Sequence, residues 1–582
     1  MELPRECWEL IFSFLDHHRH LDPLSLSCKQ FLSISDSLLS SLSLTTPSAV
    51  PFLPSLLARF RNLRSLDLSS FPGSPDPVLL QVSRSCPNLR RLDLSNQPRL
   101  PVDSLAQIGE RIKGLEALVL SRLHFLQNHD LFVVARLFPF LQELDVSYPQ
   151  HLGRASDEGV SFLSQRLKGL RRVDISGNHF VSDQSLVHLA THCALLREVA
   201  VKDCTFVTPR GIDFLMSNSP DLVSLSVSIG ISLTYDMWNQ TFPKARALSS
   251  LDVSHSYLSD GLLSLLAEAN LTLRTVSLSY SGGFTFDGIS LLLSKNRSVE
   301  SLDLERVYFL SDQHMSELCK FLGNLTFINL SLCSKVGNST FYNLVRSCTL
   351  LREIRMERTG LGNADFMGSD TQFINSKVRS LHLARNYNLC DEWCIRELVR
   401  ACPELQFLDV SHCPVITGAG VSTVLEKCPE IMYLDISDCN SICNLVVGSD
   451  SPRLEVLRAN GLVLHNQALA TIGRRCSRLM VLDLQRCFNL TDEGVKEVTG
   501  HCKALREINL RHCKGVSVHI VPWLVFSRPS LRKITPPNGL KLSENQRNLF
   551  LRHGCLVYDG CFVGNELLPT PEENQIREQT ST

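Results

Sequence analysis

From Leu63 to Leu510 the chain repeats one six-residue phrase, L-x-x-L-x-L with Val, Ile or Met admitted, at a spacing that is mostly 26 residues. Copies begin at Leu63, Leu89, Leu115, Leu141, Leu170, Leu196, Leu222, Leu248, Leu273, Val299, Leu325, Leu351, Val378, Leu405, Ile431, Leu454, Leu479 and Leu505, eighteen in all. Weaker copies start at Leu39 (LSSLSL) and Leu531 (LRKITP). A register held over so long a stretch excludes a set of unrelated globular domains. It predicts a stack of like units in which each contacts only its neighbours.

The stretch that opens at Leu479 shows what one unit is. Leu482 and Leu484 alternate with polar residues, so both point to one face of a short strand. Thr491-Asp492-Glu493 reads as a helix start with an acidic first turn, and Val495, Val498 and Thr499 fall on one helical stripe. A strand and a helix of this size cannot bury their apolar sides alone, but stacked copies share a continuous core. The expected fold class is α/β: a curved solenoid with parallel strands on the concave wall and helices on the convex wall. The register slips most visibly at three places: it widens at Tyr148–Ala155, shortens between Ile431 and Leu454, and blurs over Gly360–Ser376. Insertions of this kind are edge loops, either a binding edge or tolerated surface.

Cysteine follows the same register. Cys86, Cys193, Cys348, Cys402, Cys428, Cys476 and Cys502 lie three residues before a copy's first apolar position, and Cys204, Cys333, Cys413, Cys439, Cys487 and Cys513 follow the strand at a second fixed place. Cysteine kept at two fixed places of the rung reads as a small buried apolar residue. A zinc site needs ligands that converge. Cys390 and Cys394, with His382 and His412, are the nearest approach to a cluster, and the register explains them better than a metal does. No metal and no cofactor is expected.

Other function classes are excluded on similar grounds. A net charge of −1 gives no general attraction to nucleic acid or anionic membrane. No apolar run reaches the roughly 18–20 residues that span a bilayer, and MELPRECWELIFSFLDHH carries acids where a secretory signal carries Lys or Arg. A cytoplasmic or nuclear location is expected. Neither Gly-x-Ser-x-Gly, His-Glu-x-x-His nor a phosphate-binding glycine loop occurs.

With its strand phrase, its cysteines and its "LTDEG" helix starts, the array over about residues 39–536 resembles the cysteine-containing subclass of leucine-rich repeats. The first forty residues do not follow the repeat. There Trp8, Ile11, Phe12 and Leu15 form an apolar helical face, and Leu24, Cys28, Phe31 and Leu32 form a second helical pattern after a polar break. Leu3, Pro4, Glu6, Ile11, Phe12 and Leu15, followed by Leu26-Ser27-Cys28-Lys29-Gln30-Phe31, resemble an F-box, with Phe31 and Leu38 or Leu42 where the family often has tryptophan. A plain N-terminal cap of the solenoid is the other reading of this segment. The expected organisation is an F-box at 1–45, a solenoid at 46–536, a C-terminal cap at 537–564 and a disordered polar tail at 565–582.

The resemblance implies a partner set. An F-box docks on a Skp-type adaptor, which reaches a cullin and a RING subunit, while the repeats hold a protein substrate for ubiquitin transfer. Leu3, Pro4, Ile11, Leu15 and Cys28 are then expected at the adaptor contact. Such a subunit works by proximity and supplies no nucleophile. Two rivals share the scaffold: a receptor gated by a small molecule or an inositol phosphate, and a repeat scaffold without a ligase role.

Numbering each copy from its first leucine, positions 3, 5 and 7 face the concave side. Position 5 is aspartate at residues 67, 93, 145, 174, 252, 303, 409, 435 and 483, readable either as an acidic strip or as a residue bonding its polar neighbours. Later copies place Phe327, Phe407 and Tyr433 at position 3 and Arg306, Arg358, Arg385, His412, Arg486 and His512 at position 8, with Arg355, Arg458 and Arg511 nearby. Aromatics beside arginines make either a recognition surface for the substrate or an anionic small molecule, or a solvated basic rim.

Overall fold

The computed structural model describes residues 4–13, 15, 22–25, 27–86, 88–151, 155–228, 242–363, 373–390, 395–445 and 453–558. Leu3, Leu26, Cys394, the tail expected to be disordered and the central residues of the three spacing anomalies lie outside them.

Two compact units divide the chain, Met1–Phe309 with Lys320–Leu325, and Leu310–Cys319 with Thr326–Thr582. The first begins with three helices, α1 (Arg5–Ser13), α2 (Asp22–Ser25) and α3 (Lys29–Leu38). Parallel strands then follow from Ser41–Ser43 to Ser301–Asp303, each paired with the next in chain order. In the second, strands run likewise from Phe327–Asn329 to Leu556–Val557. Copies pair in register, Leu66 with Leu92 and Leu482 with Ile508. Each unit is thus a solenoid of strand, loop and helix.

The reason is burial. In the strand Arg91–Asp93 the middle residue is buried and its neighbours half-buried, and the same alternation recurs in most rungs. On the helix side, Asp492–His501 buries Val495, Val498 and Thr499, the stripe its sequence predicts.

The start of Asp492–His501 works differently from the local cap that "LTDEG" implies. Thr491 makes no side-chain cap bond to its own helix. Instead the first helical residue of one rung accepts the backbone N–H that opens the next: Asp183 Oδ1 from Thr208 at 2.6 Å, Asn466 Oδ1 from Thr491 at 3.1 Å, Asp492 Oδ1 from Ser517 at 2.7 Å. Orphan helix donors are satisfied between rungs, so the cap is also a rivet. The glycine follows from this: a Cβ at Gly494 would run into Asn466 Oδ1.

All thirteen cysteines in the repeat register are buried. They are not merely apolar. At the post-strand place Cys439 Sγ donates to Val410 O at 3.1 Å, Cys487 to Ala459 O at 3.1 Å and Cys513 to Leu484 O at 3.0 Å. Where a rung has asparagine there, the amide does the same: Asn178 Nδ2 donates to Val146 O and Ile175 O, and Asn386 Nδ2 to Met356 O and Leu383 O. Cysteine is the weak-donor version of one buried ladder. Burial pushes the Cys413 and Cys487 thiols up to about 12, so both stay protonated and able to donate. Among the described residues no three His, Cys, Asp or Glu side chains gather as a metal set, and no helix is long and apolar enough to cross a membrane.

Candidate functional site: the helical head and the strand-exit rim

The head has one small core. Trp8, Phe12 and Phe31 meet with ring centroids 4.9–6.1 Å apart, over buried Ile34. This divides the apolar face expected of α1. Trp8 and half-buried Leu15 pack on Phe12 and Ile34, whereas Ile11 stays 42% exposed. Leu10, not singled out from sequence, is 62% exposed beside it. Pro4 is exposed, and its carbonyl accepts from the Cys7 and Trp8 amides to open α1. Cys28 is exposed too, and its Sγ caps α3 by accepting from Phe31 N at 3.4 Å. The other end of α3 is fastened to the first full rung: Arg59 donates to both carboxylate oxygens of Asp36, at 3.0 and 2.8 Å, and Asn62 Nδ2 to Ser37 O at 2.7 Å.

Along the strand wall, each position-5 aspartate closes its own turn. Asp67, Asp93, Asp145, Asp174, Asp252, Asp303, Asp409, Asp435 and Asp483 all accept the backbone N–H two residues on, at 2.8–3.2 Å. The bonding reading therefore accounts for them rung by rung. Burial, the leading cause, nevertheless raises most of these carboxyls above the ordinary range, and Asp435, in register with Asp409, is pushed up to about 6 by burial and then by that like charge.

One prediction follows from the sign of that shift. A carboxyl with a raised folded pKa binds its proton more tightly folded than unfolded, so its contribution to stability falls as pH rises from about 4 to about 6. Asn329 holds the matching N–H of Ser331 at 3.0 Å without a charge. Asp435→Asn should therefore raise the denaturant midpoint at pH 7.5 by an amount worth about 2 kcal/mol, and the gain should disappear near pH 4. A variant equally or less stable across that range would contradict the assignment.

Position 8 has a property its spacing did not reveal: its backbone is left-handed. Arg306 (φ 63°), Arg358 (52°), Arg385 (61°), His412 (57°), Arg486 (61°) and His512 (62°) all occupy this region. For a non-glycine residue that costs about 1 kcal/mol or more. The turn throws these side chains onto the rim where strand passes into loop. Arg358 and Arg385 are exposed there, and neither meets a carboxylate at ion-pair distance among the described residues. His412 and Arg486 converge on Asp438, His412 Nε2 at 3.7 Å and Arg486 Nη2 at 2.9 Å from both oxygens. Arg486 reaches across an intervening rung because that rung has Gly461 at position 8 (φ 69°), where a Cβ would strike Asp438 Oδ1. His512 is held by Asn538.

Behind the rim, Phe407 stacks on Tyr433 at 4.3 Å and 12°, His382 on Phe407 at 4.4 Å and 28°, and the Arg458 guanidinium lies 5.6 Å from the Tyr433 ring. Phe407 and Tyr433 are only 8% and 5% exposed, so they form a shelf within the wall. Phe327 stands apart, half-buried, with Arg355 over its ring at 5.4 Å. Sequence reasoning weighed His382 only as a metal ligand, not as part of this stack, and missed Asp438. Asp438 had a visible signal, the one acid in the basic series at position 8.

Residues 401–425, within the second unit, match the family model described as Leucine Rich repeat. The fold is that of a leucine-rich-repeat solenoid. This leucine-rich-repeat chain is 24% identical over 196 residues to F-box/LRR-repeat protein 4 of Bos taurus, a stretch covering 32% of the chain and 31% of that relative. Among solved structures, the leucine-rich-repeat chain is similar to one in the Rad7 and Elc1 complex of yeast (16% identity, 72% of this chain and 85% of that one, TM-score 0.38). It is also similar to one in the mouse RP105/MD-1 complex (15% identity, 88% of each chain, TM-score 0.45).

Proposed function

We propose that this chain is the substrate-recognition subunit of an SCF-type cullin-RING ubiquitin ligase. Its head binds a Skp-type adaptor, its repeats hold a protein substrate, and the chain itself contributes no catalytic group. The observation that carries the reading is the exposed Leu10–Ile11 pair on a head in which Trp8, Phe12, Leu15, Phe31 and Ile34 are occupied with one another and whose far end is fastened to the first rung. An apolar surface on a rigidly mounted helix is what a partner's helices bury. Pro4, Ile11, Leu15 and Cys28, together with Leu3, are the proposed adaptor residues. Phe327, Arg358, Arg385, Phe407, His412, Tyr433, Arg486 and His512 are the proposed substrate wall, with Phe407 and Tyr433 supporting it from within.

Affinity purification with the proteasome blocked tests both halves. The intact chain should retain the adaptor and at least one ubiquitinated protein. A chain lacking residues 1–45 should lose the adaptor and keep the client, and Arg358→Glu with Arg385→Glu should do the reverse. Adaptor retained by the truncated chain would sink the proposal.

A further inference from the structure

We infer that the cavity at the rim beside Arg486, His512 and Lys514 is a binding site for a phosphoryl group carried on a flat apolar body. The cavity measures about 500 Å³ and lies wholly within the second unit. That volume falls in the range of small-ligand sites. Arg486, His512 and Lys514 supply its polar lining together with Asn538; Phe488 and Val516 supply an apolar side, and among the described residues no acidic side chain lines it.

Each cationic or donor group is placed and partly uncommitted. Both bonds from Arg486 to Asp438 leave from Nη2, so the guanidinium is anchored while Nε and Nη1 have no other hydrogen-bond partner among the described residues. His512 is oriented by a two-way clasp: its backbone N–H donates to Asn538 Oδ1 at 3.3 Å, which fixes the amide so that Nδ2 donates to the ring Nδ1 at 2.6 Å. With Nδ1 accepting, Nε2 carries the ring proton as a second donor. Lys514 meets no carboxylate at ion-pair distance among the described residues, and its ammonium rests 5.2 Å from the Phe488 ring. Three separate donors, two of them cationic, suit a group with three equivalent oxygens and two negative charges better than a carboxylate with two oxygens and one. The cavity is larger than a phosphate, and Phe488, 52% exposed, offers a face for the remainder.

The phosphoryl group has two sources, a phosphorylated tyrosine of a bound protein or a free aryl phosphate. Titration calorimetry on the full chain separates them, using phenyl phosphate, a phosphotyrosine peptide, benzoate and the unphosphorylated peptide as probes. Phenyl phosphate and the phosphopeptide should bind in the millimolar range or tighter, with benzoate and the plain peptide at least about tenfold weaker. A phosphopeptide about tenfold tighter than phenyl phosphate assigns the group to a protein client, and equal affinities assign it to a small molecule. Lys514→Glu, an exposed change, should cost about tenfold or more with an unchanged denaturant midpoint. Benzoate binding as well as phenyl phosphate, or Lys514→Glu binding as the parent does, would overturn the inference, as would no binding of either phosphorylated probe. Adaptor capture through the head is independent of all these outcomes, so failure here leaves the proposed function standing.

Discussion

A chain carrying Leu10→Asp and Ile11→Asp should lose capture of a Skp-type adaptor by about a hundredfold or more, while unfolding at the parent's denaturant concentration. The expectation combines two facts about α1. Among the described residues of the head, Leu10 and Ile11 are the large apolar side chains left to solvent, at 62% and 42% exposure, and truncating central apolar anchors of an interface typically costs about 2 kcal/mol or more each, before the added cost of burying a charge. Surface substitutions away from packed features move stability by about half a kcal/mol at most. Phe12→Ala is the contrasting control: Phe12 is 1% exposed between Trp8 and Phe31, so its loss should melt the head and remove binding for a different reason. Undiminished adaptor binding by the double aspartate chain would mean that the head meets its partner on another face.

Asn386→Ala should be the most damaging single exchange in the second unit, lowering its stability by about 4 kcal/mol. The Asn386 side chain is fully buried and holds four bonds. Nδ2 donates to Met356 O at 2.7 Å and Leu383 O at 2.8 Å, and Oδ1 accepts from Thr359 N at 2.8 Å and Thr359 Oγ1 at 3.1 Å. Alanine leaves several buried polar groups without partners, at about 1–3 kcal/mol apiece. Asn386→Cys should recover part of the loss, because Cys413, Cys439, Cys487 and Cys513 serve as donors at the same place in their own rungs. Amide exchange at Thr359 is the local readout, fast in the alanine chain and intermediate in the cysteine chain. Equal stability of the alanine and parent chains would show that the ladder contributes nothing here.

Those two positions also mark how far the sequence could be read. The strand phrase and its 26-residue step give the rungs outright, because alternation and stacking are properties of side-chain spacing alone. The cysteines are legible as buried but not as donors, since a thiol's partner is a carbonyl about 29 residues earlier and no local pattern announces it. "LTDEG" announces a helix start, yet its aspartate serves the following rung and its glycine makes room for the preceding one, relations that appear only once rungs are stacked. On the head, helical periodicity finds the apolar face but does not say which part of it turns to Phe31 and which to solvent. At the rim, the basic series at position 8 is plain, whereas its interruption by Asp438 gains meaning only from Gly461, which lets Arg486 cross over.

The left-handed residue found at most strand exits has a consequence for how such a chain can change. Its side chain is aimed away from the interior, so trading arginine for histidine, aspartate or asparagine there alters what the edge attracts while the leucines beneath keep their places. Glycine is the silent choice, easiest for the backbone and mute toward a visitor. Selection can thus revise the list of guests one letter at a time, and the masonry need never be relaid.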